Sequence, residues 1–307
     1  MDSETRDLLK GSIRDLFEAR DGDIVSGLDE LGWSDVVADD PAAALDLLFT
    51  EQGAIGRSSS ALDMVAFAEL ADGTRARVVH PVNGVASARI VGNVVQIDGV
   101  VLGEVDQPVV VATLEQAFVV DVPDSAVTAV GGFDSGSGLR RVRLAVERAA
   151  ALQVEVDWAD VTAAAQRALC SELVGNGTAM LRLAADQITH RIQFGRPIGA
   201  NQSPRHRLAE SYALVRGAAE LTRVAWRTGS AWDARTAKAY AGCAVETTSR
   251  ACLQVCGAIG LTTEHALPGY VKRSRVLDAL YGGWAASTTD IGGELLAAGS
   301  VPSAARL

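Results

Sequence analysis

Cysteine is scarce in this chain, with four in 307 residues. Cys170, Cys243, Cys252 and Cys256 sit in apolar, helix-like surroundings rather than spaced through Gly/Pro loops, so a disulfide framework is excluded and reduced, buried thiols are expected. Cys252 and Cys256 stand four apart on a predicted helix and His265 follows, but zinc needs a full ligand set and no second nearby pair completes one. No metal is expected. Positive charge is also short: 28 Lys and Arg face 38 Asp and Glu, for a formal net charge of -10. A nucleic-acid surface needs clustered cations to displace counterions from phosphates, so that class of partner is excluded. No segment reaches the roughly 18 uninterrupted apolar residues of a membrane span. The opening residues Met1–Asp7 mix both charges and lack the apolar core of a secretory signal, which makes the cytoplasm the expected location. What the chain does have is 48% hydrophobic residues, enough for a large core and more than one domain.

The texture changes twice along the chain. Leu8, Leu9, Ile13, Leu16 and Phe17 repeat at a helical period over residues 5–20, and further helices are predicted over 28–37 and 42–48. Asp40-Pro41 supplies an N-cap and a first-turn proline for the last of these. From about Arg75 to Arg143 the sequence turns to short Val- and Ile-rich runs, at 77–80, 94–97, 100–102, 108–113 and 118–122. Asn83-Gly84, Gly92-Asn93 and Asp98-Gly99 read as turns between them, which predicts antiparallel strands and hairpins. Phe133–Gly138 reads as a flexible connection, not as a nucleophile elbow. From Trp158 the chain is rich in Ala, Leu and small residues, with helices predicted over 160–190, 204–228, 231–260 and 265–280; short loops and small packing residues suit an antiparallel four-helix bundle. The expected architecture is α+β: a helical domain over 1–72, a small middle β domain over 73–150 and the bundle over 151–307.

One octapeptide stands out, Arg191-Ile192-Gln193-Phe194-Gly195-Arg196-Pro197-Ile198. Taken alone, a capped helix terminus accounts for it, with basic residues offsetting the macrodipole and Gly195 and Pro197 stopping propagation. Two further features point elsewhere: Gln202 with the following Leu208-Ala209-Glu210, and Gln254-Val255-Cys256-Gly257-Ala258-Ile259-Gly260 at the end of a later helix.

These residues, in this order and approximate spacing, resemble the C-terminal domain of the acyl-CoA dehydrogenase family, with Ala258 in place of a second glycine. The resemblance is specific over about 160–283 and weaker over 1–70, where Leu31-Gly32-Trp33 and Glu51–Arg57 carry it. It implies a flavin site built between subunits, in which Arg191, Gln193, Phe194, Gln202, Gln254, Gly257 and Ala258 contact the adenosine-pyrophosphate half of a neighbour's FAD. Arg191 offers a fork of donors, the glutamines offer amides, Phe194 an apolar face, and Gly257 and Ala258 close backbone approach.

The departures from the family pattern are equally informative. The family's catalytic base is the Glu of a Tyr-Glu-Gly sequence, and the aligned residue here is Gly282, which cannot abstract a proton. The alternative position of that Glu falls near Ala165. Residues 71–150 carry no Thr-Glu-Pro-like or Trp-containing segment for the flavin ring, and the preceding helices look shortened. The resemblance therefore implies a subunit without catalytic residues of its own, acting on an acyl-CoA beside a longer subunit that carries the Glu, as in heterotetrameric actinobacterial enzymes of steroid degradation. Two alternatives stand beside it: a homo-oligomeric enzyme with a relocated base, Glu172 or Asp278, and a flavin-free structural or regulatory homologue. Glu172 is expected to be solvated or ion-paired rather than a base. His80, His206 and His265 are expected to be solvated or capping, and Lys272-Arg273-Arg275 a solvated face.

Overall fold

A computed structural model describes residues 1–19, 24–66, 77–105, 108–131, 134 and 136–302. Among these described residues five helices come first: α1 (Ser3–Ala19), α2 (Val25–Glu30), α3 (Trp33–Asp39), α4 (Pro41–Ile55) and α5 (Ala61–Ala66). The α4 start is as the sequence predicts, with Asp40 Oδ1 accepting from the Ala43 amide at 3.1 Å and proline in the first turn. Residues 67–76, which hold the predicted passage into the strands, lie outside the described residues, as do Phe133 and Ser135 of the predicted connection.

Eight strands follow: β1 (Arg77–Val78), β2 (Ala88–Val91), β3 (Val94–Leu102), β4 (Val109–Ala112), β5 (Ala117–Val120), β6 (Val127–Ala129), β7 (Leu139–Glu147) and β8 (Leu152–Val154). They form two four-stranded sheets, ordered β1-β4-β5-β8 and β2-β3-β7-β6. Strand alternation decides what each face covers. Val79, Val109, Val111 and Phe118 join Val95, Ile97, Val101 and Val142 in a core between the sheets. The opposite face of the first sheet, with Val78, Val110, Ala112 and Ala117, packs into the helical core.

The strand predictions need three corrections. β1 pairs with β4 in parallel, against the expectation of antiparallel strands throughout. Asp98-Gly99 is not a turn: β3 runs straight through it, and glycine is required because a Cβ at position 99 would meet the His80 carbonyl oxygen at 2.6 Å. The charged β7, with Arg140, Arg141 and Arg143 along it, lacks an apolar run and so gives little strand signal; pairing with β3 over nine residues holds it.

The C-terminal helices are α6 (Trp158–His190), α7 (Gln202–Thr228), α8 (Ala231–Cys256), α9 (Leu267–Ala279) and α10 (Trp284–Ala298). The helix predicted over 231–260 ends at Cys256 and continues as a 3-10 turn, Gly257–Leu261. The fifth helix, α10, is an addition to the four that the sequence predicts. Asp157 caps α6 through the Ala159 and Asp160 amides at 2.9 and 3.3 Å. Close packing needs small residues: a Cβ on Gly175 would fall 2.0 Å from the Thr50 carbonyl oxygen, and one on Gly53 2.0 Å from that of Glu172, so α4 and α6 meet backbone to backbone. Trp226 Nε1 donates to Ser171 Oγ at 2.9 Å and Arg167 Nη1 to the Gly229 carbonyl at 3.1 Å, which sets α7 antiparallel to α6.

Candidate cofactor-binding face

The antiparallel run of α6, α7 and α8 decides where the octapeptide sits. Gly177, Val215 and Val245 meet at one level of the bundle, with a Gly177 Cβ 3.1 and 3.2 Å from the two valine methyls. At ~1.5 Å per residue, the end of α6, the start of α7 and the end of α8 all lie about 17–20 Å above that contact. The segments holding Arg191, Gln202 and Gln254 are thereby brought to one end of the bundle, although 63 positions separate Arg191 from Gln254 in sequence.

The octapeptide is not a glycine-stopped helix. α6 ends at His190, and Arg191 is already out of helical conformation at φ -73°, ψ 115°. Ile192–Gln193 (β9) and Arg196–Pro197 (β10) pair antiparallel. The two residues between them, Phe194 and Gly195, have φ 52° and 76°, the pattern of a two-residue type I′ hairpin loop. Gly195 suits such a position; phenylalanine does not. The Phe194 side chain is 99% exposed. Arg196 Nη2 donates to Asn201 Oδ1 at 2.6 Å, and the Ile198 amide to the Arg191 carbonyl at 2.9 Å, which fixes the hairpin on the bundle end.

All seven residues expected to contact a cofactor, Arg191, Gln193, Phe194, Gln202, Gln254, Gly257 and Ala258, are exposed. Gln193 Nε2 reaches only the Ile192 carbonyl next to it, at 2.9 Å. Gly257 has φ 68°, ψ -148°, a region almost restricted to glycine, and turns the chain out of α8. Ile259 and Leu261 beside it are also exposed. The end of the bundle thus presents a guanidinium, three amides and apolar side chains outward.

The segment that the sequence sets against the family's Tyr-Glu-Gly is the opposite case. Tyr281 and Gly282 are both buried, with φ 53° and 95°. The Tyr281 hydroxyl lies 3.0 Å from His80 Nδ1, and His80 Nε2 lies 2.8 Å from Asp63 Oδ1. Both ring nitrogens of His80 therefore have a partner within hydrogen-bond distance, a carboxylate on one side and a phenol on the other. Burial raises the Tyr281 hydroxyl well above its ordinary range, with Asp63 adding to the effect, and the phenol keeps its proton. Gln166 Nε2 donates to the Tyr281 carbonyl at 3.0 Å, and the Tyr281 amide donates to the Pro81 carbonyl at 3.1 Å. Lys238, fully buried, donates through Nζ to the carbonyls of Asp278 at 2.9 Å and Gly282 at 3.2 Å. Burial pushes the Lys238 ammonium down, opposed by Asp278. The segment is clamped from α5, α6, α8 and the β domain at once.

Neither alternative base is free. Glu172 is 2% exposed and accepts from Arg273 Nε at 3.1 Å, Arg273 Nη2 at 2.8 Å and Gln52 Nε2 at 2.9 Å. Burial pushes its carboxyl up while Arg273 and Gln52 hold it down. Asp278 accepts from the Trp284 amide at 3.1 Å, and burial raises it as well. Two expectations are corrected here. His80 is completely buried rather than solvated, and Arg273, 4% exposed, is no part of a solvated face. A lone histidine and a basic triplet carry no signal of burial; both acquire partners from distant segments. His265 does cap, its Nδ1 accepting from the Leu267 amide at 3.1 Å, and His206 is exposed. Cys252 and Cys256 are buried thiols, and burial pushes Cys252 up to about 12.

Helices α6–α10, the hairpin at the end of α6 and the small two-sheet domain define an acyl-CoA dehydrogenase-like fold. Residues 156–296 match the family model of the acyl-CoA dehydrogenase, C-terminal domain. Acyl-CoA dehydrogenase IpdE2 of Mycobacterium tuberculosis is 33% identical over 106 residues, 34% of this chain and 33% of that protein, so the match spans about a third of that relative. Among solved structures, a chain of the ChsE4-ChsE5 complex from Mycobacterium tuberculosis superposes with a TM-score of 0.76 at 20% identity, covering 99% of each chain. The Tcur3481-Tcur3483 steroid ACAD G363A variant superposes with a TM-score of 0.74 at 20% identity, covering 96% of this chain and 98% of that one. At these identities the two structures establish the shared fold.

Proposed function

We propose that this chain is the subunit without a catalytic glutamate in a heteromeric, FAD-dependent acyl-CoA dehydrogenase that introduces an α,β double bond into a CoA thioester. Its part is to supply the adenosine-pyrophosphate side of an FAD site shared with a longer subunit, which carries the glutamate. The acyl group is steroid-derived; the likeness to a steroid ACAD chain supports this choice. The observation that carries the reading is Phe194, 99% exposed on a left-handed backbone. Such a conformation costs a bulky residue on the order of 1–3 kcal/mol, and a contact outside this chain gives it a use.

Arg191 then meets the pyrophosphate, for which a planar fork of donors is suited. Gln193, Gln202 and Gln254 supply amide hydrogen bonds, and the backbone at Gly257 and Ala258 allows close approach. FAD would accept the hydride from the β-carbon; the chain's own residues hold it rather than move the α-proton. The burial of Gly282 and the ion pairing of Glu172 support this division of labour, since neither position among the described residues offers a free base.

Expression of the chain alone and with candidate longer acyl-CoA dehydrogenase subunits, followed by flavin absorbance and dehydrogenase assay, tests the proposal. Bound flavin and activity only in the co-expressed complex support it. A flavin-bound, active chain alone means a relocated base, and flavin absent from every combination means a structural homologue; either result overturns it.

A further inference from the structure

A cleft of about 790 Å3 opens on the β domain, over strands β2, β3 and β7. Its size falls within the roughly 300–1,000 Å3 of small-molecule sites. Strand alternation explains what faces it. Val95, Ile97 and Val101 of β3 point into the core between the sheets, so Gln96 and Asp98 point the other way. Further along that outer side, Val100 and Leu102 are buried in the helical core. The helices thus cover one half of this sheet face, and the other half is exposed, with Arg89, Asp98, Arg143 and Ala145.

The strand register sets these residues on a grid. Arg89 of β2, Gln96 of β3 and Ala145 of β7 lie in one row across the sheet. Asp98 and Arg143 lie in the next, and the Asp98 amide, donating to the Ser87 carbonyl at 3.0 Å, completes it. Two arginines therefore stand at opposite corners, with the small Ser87 and Ala145 at the other two. The middle strand orients each arginine: Arg89 Nε donates to Gln96 Oε1 at 2.8 Å and Arg143 Nη2 to Asp98 Oδ2 at 2.9 Å. Asp98 is the acidic residue among the described ones that line the cleft, and Arg141 also holds it, through Nε and Nη2 at 2.9 Å each. Its carboxylate is thus shared between two guanidinium groups, while Arg89 is held by a neutral amide.

We infer that this cleft binds a planar aromatic carboxylate, with its oxyanion on the terminal nitrogens of Arg89 and its ring over Ala145 against the guanidinium face of Arg143. A guanidinium offers both things required, a fork of donors to an oxyanion and a flat cationic face to a ring. Two strand spacings, about 9–10 Å, separate Arg89 from Ala145, which is room for a fused two-ring acid. A side chain longer than that of Ala145 would fill the place of the ring. The inference is independent of the flavin-sharing role, because none of the seven residues of the exposed bundle end lines the cleft.

Titration calorimetry of the full chain with naphthoate, its saturated counterpart decahydronaphthoate and the neutral naphthalenemethanol tests it. Naphthoate is expected to bind at least about tenfold more tightly than either of the others. Arg89→Ala and Ala145→Leu, both at exposed positions, are each expected to weaken naphthoate binding by about tenfold, with a melting temperature within a degree or so of wild type. Arg191→Ala is expected to leave that binding unchanged, which separates this cleft from the bundle end. Equal binding of the saturated acid or of the alcohol overturns the inference, as do absent naphthoate binding, binding unaltered by either cleft variant, and binding lost in Arg191→Ala. Should Ala145→Leu fail to fold, Arg89→Ala decides alone.

Discussion

The hydroxyl of Tyr281 and Nδ1 of His80 share a hydrogen bond across 3.0 Å, and both side chains are completely buried. This bond joins the loop after α9 to the segment just past β1, 201 positions earlier in sequence. The Val82–Leu280 bridge and the Asn83 amide, donating to the Ala279 carbonyl at 2.8 Å, run beside it. Removing the hydroxyl leaves a buried imidazole nitrogen without its partner. Tyr281→Phe is therefore expected to destabilise the chain by about 1–3 kcal/mol, measured by chemical denaturation, while leaving the flavin content of the complex unchanged.

Under the proposed function Gly282 stands where the family carries its base, yet placing an acid there is not expected to give chemistry. The residue is buried at φ 95°, and a Cβ would lie 3.2 Å from Ser287 Oγ. Gly282→Glu would adopt this conformation at a cost of ~1–3 kcal/mol and bury a carboxyl among packed groups. A lower midpoint of unfolding and no dehydrogenase activity in the isolated chain are the expected results.

Arg191 is exposed and lies beyond the last helical residue of α6, so the fold does not depend on its side chain. Arg191→Ala is expected to lower flavin retention by the complex about tenfold, the loss of a charge-assisted contact of ~1.5–3 kcal/mol, and to leave the melting temperature of this chain within a degree or so of wild type. Flavin absorbance after gel filtration of the complex reads the first, and thermal unfolding of the chain the second.

Glu246 gathers the C-terminal helices, accepting from Trp284 Nε1 at 2.7 Å and Arg275 Nη1 at 2.8 Å and pairing with Arg250. Burial alone would raise its carboxyl; the Trp284 hydrogen bond and the arginines outweigh it and hold it below the ordinary range. A depressed carboxyl contributes stability that is present above its unfolded pKa of about 4.3 and is lost as pH falls through the lower folded value. Glu246→Gln is expected to cost about 1–2 kcal/mol at neutral pH. The difference from wild type should shrink below about pH 4, which urea titrations across that range would show.

Much of the architecture was legible because its signals are local. The Asp40-Pro41 start, the Ala-rich helices and the Val/Ile runs each declare themselves within a few residues. The motif order from Arg191 to Gly260 likewise identified the C-terminal domain before any fold was known. Signals that depend on distant neighbours were misread. Asp98-Gly99 has the composition of a turn, but the His80 backbone packs against it and keeps it within β3. Gly195 looks like a helix stop, but the pairing of Ile192–Gln193 with Arg196–Pro197 makes it a hairpin residue.

The sequence by itself determined the residue types at the exposed bundle end and the glycine at position 282, because these are matters of identity and order. Only the tertiary structure decided that His80 and Tyr281 share a buried hydrogen bond and that Arg273 is held by Glu172. Burial and pairing are set by which segments pack together, and a charged or aromatic side chain carries no local mark of a partner a hundred or more residues away.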